Sequence, residues 1–179
     1  MKLMSAAEIH ACDFLLIRYR HSEFFINRSN FSGSVVYSKA AESGCRCRYL
    51  SDIIRYGEIT LPAFDVDRYL QDHFKSVPEN TSKLCIISRY RKGSAADLAL
   101  QSVLPSDPLY LSADRLAFII TSDAEIGKFS VNTMHLLPAR LRLHCRENGI
   151  LSCSFEHHKI RYFIDLFTLL GSAVRRVSN

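Results

Sequence analysis

The sequence predicts an α/β (α+β) protein in which a central sheet containing antiparallel strands packs against helices. Three observations predict this class. Hydrophobic residues make up 47% of the 179 residues, which is enough for a buried core. Apolar runs of strand length, such as Leu84-Cys85-Ile86-Ile87, alternate with stretches whose apolar residues recur at helical spacing. The polar quartet at 112–115 separates two apolar runs, which is the pattern of a β-hairpin.

The N-terminal part, 1–80, is predicted to be a small α/β region of its own. The polar segment 78–82 is rich in turn-forming residues and is predicted to separate this region from a second domain at 82–179. Asp65 is the expected cap of an amphipathic helix. The elements expected before the boundary are a helix over 6–12, strands near 14–17, 23–27 and 34–37, and helices over 49–56 and 64–74.

After the boundary the pattern predicts the order β-α-β-β-α-β-β-α. Ser94 is the expected cap of the first helix, and Pro105 ends it. Asn148-Gly149 predicts a tight hairpin turn, because this pair is a strong hairpin signal. The elements expected here are a strand at 84–87, a helix over 94–103, strands at 109–111 and 116–121, a helix over 124–136, strands at 140–146 and 150–155, and a helix over 159–177.

This order, with LPSDPLYLSADRLAFII at its hairpin, resembles the degenerate GGDEF domain of the BcsE family of cellulose-secretion regulators. The resemblance covers roughly residues 82–179. It implies a bacterial regulatory domain of a signalling or cellulose-secretion system, with cyclic-di-GMP as a candidate ligand. The metal-binding carboxylate expected near the end of the first core strand is missing, and Arg115 and Leu116 replace the acidic pair of the turn. A non-enzymatic protein is therefore expected.

The same resemblance indicates where a ligand would bind. Family members hold cyclic-di-GMP at an Arg-x-x-Asp element before the turn, where Asp107 is kept and Leu104 replaces the arginine. The ligand-binding residues implied are Asp107, Asp114, Arg115, Arg89 and Arg91. The alternative is that Ser112-Ala113-Asp114-Arg115 forms only the solvent-exposed tip of a hairpin.

The cations suggest a surface for an anionic partner. The net charge is +5, with lysine and arginine spread along the chain rather than gathered in one run. Arg140, Arg142, His144 and Arg146 alternate, so on a strand they project from one face and form a candidate interaction surface. The same pattern also occurs on edge strands that are protected from aggregation.

The six cysteines are interpreted as thiols, and no metal site is expected. Cys45 and Cys47 form a single CxC pair, whereas structural zinc sites need four ligands. If either thiol is reactive, the flanking arginines are expected to lower its pKa. A Cys-His-Asp triad could be drawn from the residues Cys145 or Cys153, His144, His157, His158 and Asp165. Buried structural cysteines are favoured instead, because strand alternation points both Cys145 and Cys153 toward the core.

The sequence as a whole predicts a cytoplasmic, non-catalytic regulatory or scaffold protein that acts by protein contact. It contains no apolar run long enough to span a membrane, and no cofactor is expected. A protein partner is expected, a homodimer is left open, and nucleic-acid binding is disfavoured because no helix has the required basic face. Two alternatives stand beside this prediction: a small cytosolic or secreted effector enzyme with a Cys/His pair, and a basic nucleic-acid-binding regulator.

Overall fold

Two β-sheets and four helices form the described part of the chain in this computed structural model. The structure describes residues 11–19, 22–28, 31–75, 82–104, 114–121, 124–130, 134, 135, 137, 139–156 and 159–178. The strands are β1 (Ala11–Arg18), β2 (Ser22–Asn27), β3 (Phe31–Val36), β4 (Lys39–Glu42), β5 (Asp52–Tyr56), β6 (Ile59–Asp65), β7 (Lys83–Arg89), β8 (Arg115–Thr121), β9 (Glu125–Ser130), β10 (Ile150–Glu156) and β11 (Lys159–Ile164). The helices are α1 (Val66–Phe74), α2 (Ala95–Val103), α3 (Ala139–Glu147) and α4 (Leu166–Ser178).

The strands form two sheets rather than the single central sheet that the sequence predicted. The first sheet has the order β10-β11-β2-β1-β9, and the second has the order β3-β7-β8-β6-β5-β4. Most neighbours are antiparallel, whereas β11 with β2 and β6 with β8 are parallel. The mixed α+β class is therefore confirmed, with two mostly antiparallel sheets.

Each sheet combines strands from before and after the predicted boundary at 78–82. In the first sheet β11 lies beside β2, with Phe163 opposite Phe25. In the second, β7 pairs with β3 and β8 pairs with β6. The strands after residue 82 thus complete sheets that the first 65 residues begin, and the polar segment does not separate two sheets.

The largest buried cluster takes side chains from both sheets. Phe24 of the first sheet and Phe118 of the second belong to it, together with Leu100 of α2 and Leu170 of α4. Phe118 also meets Phe167 of α4, with ring centroids 5.4 Å apart in an edge-to-face arrangement. One continuous core therefore fixes α2 and α4 against the sheets and against each other.

Two predicted helix starts are confirmed. The carboxylate of Asp65 accepts the backbone N–H of Arg68 at 2.9 Å and caps α1. Ser94 caps α2, and its hydroxyl accepts the N–H of Asp97 at 3.3 Å. The Asp97 carboxylate in turn accepts the N–H of Gly93 at 2.7 Å. Local capping chemistry was readable from the sequence because it involves residues only three or four positions apart.

The predicted strand over 140–146 is wrong, since these residues lie in α3. Arginine and leucine are both good helix formers, so their alternation did not require a strand. Asn148-Gly149 is consequently not a hairpin turn. The N–H of Gly149 donates to the carbonyl of Arg146, and Gly149 has a φ of 74°. It ends α3 as glycines commonly end helices.

Three predicted helices contain strands instead. Residues 52–56 form β5 and residues 125–130 form β9. Residues 159–164 form β11, so the final helix begins only at Leu166. In each case pairing with a neighbouring strand overrides the helical spacing of the apolar residues. In β11, KIRYFI, that spacing is compatible with the period of a helix and with the period of a strand. The predicted strand at 109–111 and most of the helix over 6–12 lie outside the described residues.

Candidate interaction surface

A groove of about 860 Å³ lies between α2 and α4. Its size is within the range of about 300–1,000 Å³ that is usual for ligand clefts. We call it the α2–α4 groove; the end of β7, helix α2 and the first three turns of α4 line it. Two smaller cavities, of about 260 Å³ and 170 Å³, lie elsewhere in the described part of the chain.

Small side chains cover much of the groove wall. Ala95, Ala99 and Ser102 follow one another along α2 at helical spacing. Thr168 and Gly171 face them from α4. Because these side chains are short, another backbone can approach both helices closely.

Apolar side chains complete the groove. Phe167 is half-buried between the groove and Phe118 of the core. Leu98 on α2 is 60% exposed, although it is a large apolar side chain. An exposed leucine beside a concave wall of alanine and glycine provides contact area for a partner.

Three arginines stand around the groove. Arg89 is the last residue of β7, Arg91 lies two positions after it, and Arg175 lies on α4. All three are exposed, and none forms an ion pair with a carboxylate in the described part of the chain. Arg175 reaches only the carbonyl of Glu147, at 3.5 Å. The groove is therefore cationic and open to an anionic group.

Among the described residues that line the groove, the one carboxylate is engaged in helix capping. Asp165 precedes α4, and its Oδ1 accepts the N–H of Phe167 at 3.1 Å. Its Oδ2 accepts the hydroxyl of Thr168 at 2.6 Å. Asp165 thus stabilises the first turn of α4, and the described residues give it no thiol or histidine partner for the proposed triad.

Two of the predicted ligand residues lie in this groove, namely Arg89 and Arg91. Asp114 is exposed and lies outside it, and its carbonyl accepts the N–H of Tyr90 at 3.0 Å. Arg115 pairs with Arg89 across β7 and β8, and its Nε is 3.6 Å from Oδ1 of Asp114. That separation gives an ion pair without a hydrogen bond. Asp107 lies outside the described residues.

Sequence reasoning missed Arg175, which the fold places around the same groove as Arg89 and Arg91, more than 80 positions earlier. The available signal was the helical spacing of Thr168, Gly171 and Arg175, which places these residues on one side of a helix. The predicted helix did cover this segment. Nothing in the sequence indicated that this side would face α2.

The predicted interaction surface of Arg140, Arg142, His144 and Arg146 does not form one stripe. On a helix each residue is rotated by about 100° from the previous one, so alternate residues separate onto different sides. Arg140, Arg142 and Arg146 are exposed on α3, and Leu143 beside them is 72% exposed. We call these three cations the α3 arginines. They line none of the cavities described above.

The cysteines of the described residues belong to no metal-binding group, and burial raises the pKa of several of them. No group of three or more histidine, cysteine or acidic side chains there could hold a metal ion. Burial raises the pKa of Cys45 to about 11 and also raises the pKa of Cys47, where it outweighs the lowering by the neighbouring Arg48. Burial likewise raises the pKa of Cys145. His157 and His158 lie outside the described residues.

No family model matches this sequence, and comparison with curated proteins finds no match. The fold is similar to the crystal structure of the scaffolding protein TtCheW from Thermoanaerobacter tengcongensis. The TM-score is 0.60 at 10% sequence identity, and the match covers 94% of this chain and 93% of that chain. At this identity the likeness concerns the fold.

The resemblance to a degenerate GGDEF domain is therefore wrong. The structural similarity extends over nearly the whole chain rather than beginning near residue 82. Strands from both halves share each sheet, so residues 82–179 do not make a separate sheet of their own. Cellulose secretion and a GGDEF origin lose their basis with this correction. In the described part of the chain, no helix has the length and apolar character needed to cross a membrane.

Proposed function

We propose that this protein is a non-catalytic scaffold that binds a segment of another protein in the α2–α4 groove. The observation that carries the proposal is the combination of a wall of small and apolar side chains with three cations that have no ion-pair partner in the described residues. Such a site offers contact area and charge but no reacting groups. The similarity in fold to a scaffolding protein supports this reading.

A photo-crosslinking experiment in cells tests the proposal. A photoreactive phenylalanine analogue replaces Leu98, which lines the groove. The matched control carries the analogue at Val36, which is 75% exposed on β3 and lies outside the groove. We expect discrete crosslinked species from position 98 that are absent from position 36. The partner identified by mass spectrometry must then bind the purified, unmodified chain in titration calorimetry.

Two results would contradict the proposal. The first is a crosslinking pattern from position 98 that is the same as that from position 36. The second is an identified partner that shows no binding in calorimetry, or that binds equally well when Gly171→Leu fills the groove. Gly171 is suited to this control because a Cβ there meets only the Arg175 side chain, at 3.7 Å.

The binding of cyclic-di-GMP stays a prediction, although the resemblance that suggested it is wrong. Calorimetric titration with cyclic-di-GMP, and with GTP as a control, decides it, since arginine forks also bind phosphates. Cytoplasmic location and homodimerisation likewise remain predictions.

A further inference from the structure

We infer that the segment bound in the α2–α4 groove is an acidic amphipathic α-helix of the partner protein. This inference rests on the proposed function, because it specifies the occupant of the same groove. Three features of the groove carry it: its uncompensated charge, its lack of a free strand edge along β7, and the spacing of its small side chains.

Charge complementarity predicts an acidic occupant. Arg89 and Arg91 lie beside the N-terminal end of α2, and Arg175 lies on α4. Asp165 is the only carboxylate among the lining residues that the structure describes, and both of its oxygens already accept hydrogen bonds from α4. Carboxylates of a partner would find guanidinium groups that can bind them in a bidentate manner. A basic segment would meet only repulsion.

The hydrogen bonding of the groove predicts a helix rather than an extended peptide. Helices α2 and α4 form the walls of the groove, and β7, which ends at it, is paired on both sides by β3 and β8, so it offers no free strand edge. At the start of α2, the N–H of Gly93 donates to Asp97 and the N–H of Asp97 donates to Ser94. The hydroxyl of Ser102 donates to the carbonyl of Ala99. A strand in the groove would leave its own backbone groups without partners, whereas a helix satisfies them internally.

The side-chain spacing also suits a helix. Ala95, Ala99 and Ser102 form a row of small residues along α2, and Gly171 leaves space opposite them. The apolar ridge of a third helix can enter such a row at close range. The nine residues of α2 extend about 13.5 Å, which corresponds to two or three turns of a bound helix. Leu98 and Phe167 would contact its apolar side.

Model peptides test the inference directly. The first is a helical peptide of about 14 residues, or four turns, with leucine at positions i, i+3, i+4 and i+7 and glutamate on both flanks. The second has lysine in place of every glutamate. Fluorescence anisotropy with the purified full chain measures both affinities at low and at moderate salt. We expect the glutamate peptide to bind at least about tenfold more tightly, with a preference that weakens as salt is added.

A charge-swap variant makes the test specific to the groove. Arg89→Glu combined with Arg91→Glu should reverse the preference, so that the lysine peptide becomes the tighter ligand. The matched control, Arg140→Glu combined with Arg142→Glu, makes the same change in net charge on α3 and should leave the preference intact. Thermal unfolding of each variant establishes that it is folded before its affinity is compared.

Several outcomes would overturn the inference. These are equal binding of the two peptides, no binding of the glutamate peptide, or a preference that survives in the Arg89/Arg91 variant. Displacement of the glutamate peptide by cyclic-di-GMP or GTP would identify the groove as a site for small phosphate ligands instead. If crosslinking from position 98 still captures a protein that binds in calorimetry, the proposed function stands and only the acidic helix is rejected.

Discussion

The charges around Glu23 and the charges of the α2–α4 groove show opposite arrangements. Glu23 is buried in β2, and its carboxylate is 2.7 Å from Nε of Arg161. Arg18 and Lys159 approach the same carboxylate at 3.7 Å. In the groove, Arg89 and Arg91 are exposed and face no acidic partner in the described residues. One region pairs its charges internally, and the other leaves them for a partner.

This difference separates structural charges from binding charges. A buried carboxylate must keep its partners, because an uncompensated charge in the interior is strongly destabilising. Exposed cations at the rim of a groove remain hydrated and contribute little to the stability of the fold. Changes near Glu23 should therefore alter unfolding, whereas changes in the groove should alter binding.

The largest effect is expected for Glu23→Gln. The change removes the negative charge that Arg161, Arg18 and Lys159 share, so the free energy of unfolding should fall by about 3 kcal/mol. Arg18 and Lys159 are about one-third exposed, which places the loss at the low end of the usual range. Urea unfolding measures it. The matched neutralisation Arg91→Gln should change the free energy of unfolding by less than about 0.5 kcal/mol. Equal losses for Glu23→Gln and Arg91→Gln would contradict the distinction between structural charges and binding charges.

Two glycines, Gly149 and Gly171, allow a closely packed backbone position to be compared with an open position in the groove wall. Gly149 has a φ of +74°, and a Cβ there would lie 2.9 Å from the backbone N of Leu169 and 3.0 Å from the carbonyl O of Asp165. Gly149→Ala should cost about 2 kcal/mol, because the left-handed conformation and the contact with α4 both oppose a side chain. Chemical denaturation measures the loss.

Gly171→Ala is the matched control within the groove. Its φ is not positive, and a Cβ meets only the Arg175 side chain at ordinary distance. Because alanine favours the helical state, this variant should gain about 0.5–1 kcal/mol. A loss at position 171 as large as that at position 149 would show that the groove wall is tightly packed rather than open.

The sequence predicted short-range features of this fold better than long-range ones. The caps of α1 and α2 follow from Asp65 and Ser94 because each cap joins residues three positions apart. The parallel pairing of β2 with β11 joins residues about 138 positions apart, and no local pattern encodes it. The predicted boundary followed from the polar segment at 78–82, which gives no sign that the strands on either side of it share sheets.

The candidate site was predictable only in part for the same reason. Arg89 and Arg91 were selected because they lie close to a buried strand, and the structure places both in the groove. Arg175 required knowledge of how α4 packs against α2. The α3 arginines were assigned to one face because Arg-Leu alternation satisfies the period of a strand, although α3 is helical.

An effect that depends on pH is expected from Asp67. Burial raises the pKa of this carboxyl to about 6, and the negative charge of Asp65 adds to the rise. The hydroxyl of Tyr19, which donates a hydrogen bond to Asp67 at 2.5 Å, lowers the pKa but does not offset the burial. The folded state therefore binds this proton more tightly than the unfolded state, in which the pKa is near 3.8. The contribution of Asp67 to the free energy of unfolding should be fully present below about pH 4 and should be lost as the pH rises through about 6.

The size of this loss should be on the order of 2–3 kcal/mol, since one pKa unit corresponds to about 1.4 kcal/mol. Urea unfolding of the protein and of Asp67→Asn across this pH range measures it, and the variant should lack the decline between pH 4 and 6. If the two pH profiles are parallel, Asp67 is not the group responsible. Asp67 differs from Glu23 in this respect, since it forms no ion pair with any described residue. The nearby cation, Lys83, pairs with Asp65 instead, at 2.8 Å.

The smallest effect on stability is expected for Leu98→Ser, which is also the sharpest test of the groove as a binding region. Leu98 is 60% exposed, so its removal should change the free energy of unfolding by less than about 0.5 kcal/mol. The same change should weaken binding of the glutamate peptide several-fold, because an apolar contact at the centre of the interface is lost. Val36→Ser, at a position that is 75% exposed, lies outside the groove lining and pairs with Leu84 at the other end of β7 from Arg89, should affect neither property. A stability loss at Leu98 without a loss of peptide binding would mean that this leucine supports the fold, and the two regions would then no longer differ in kind.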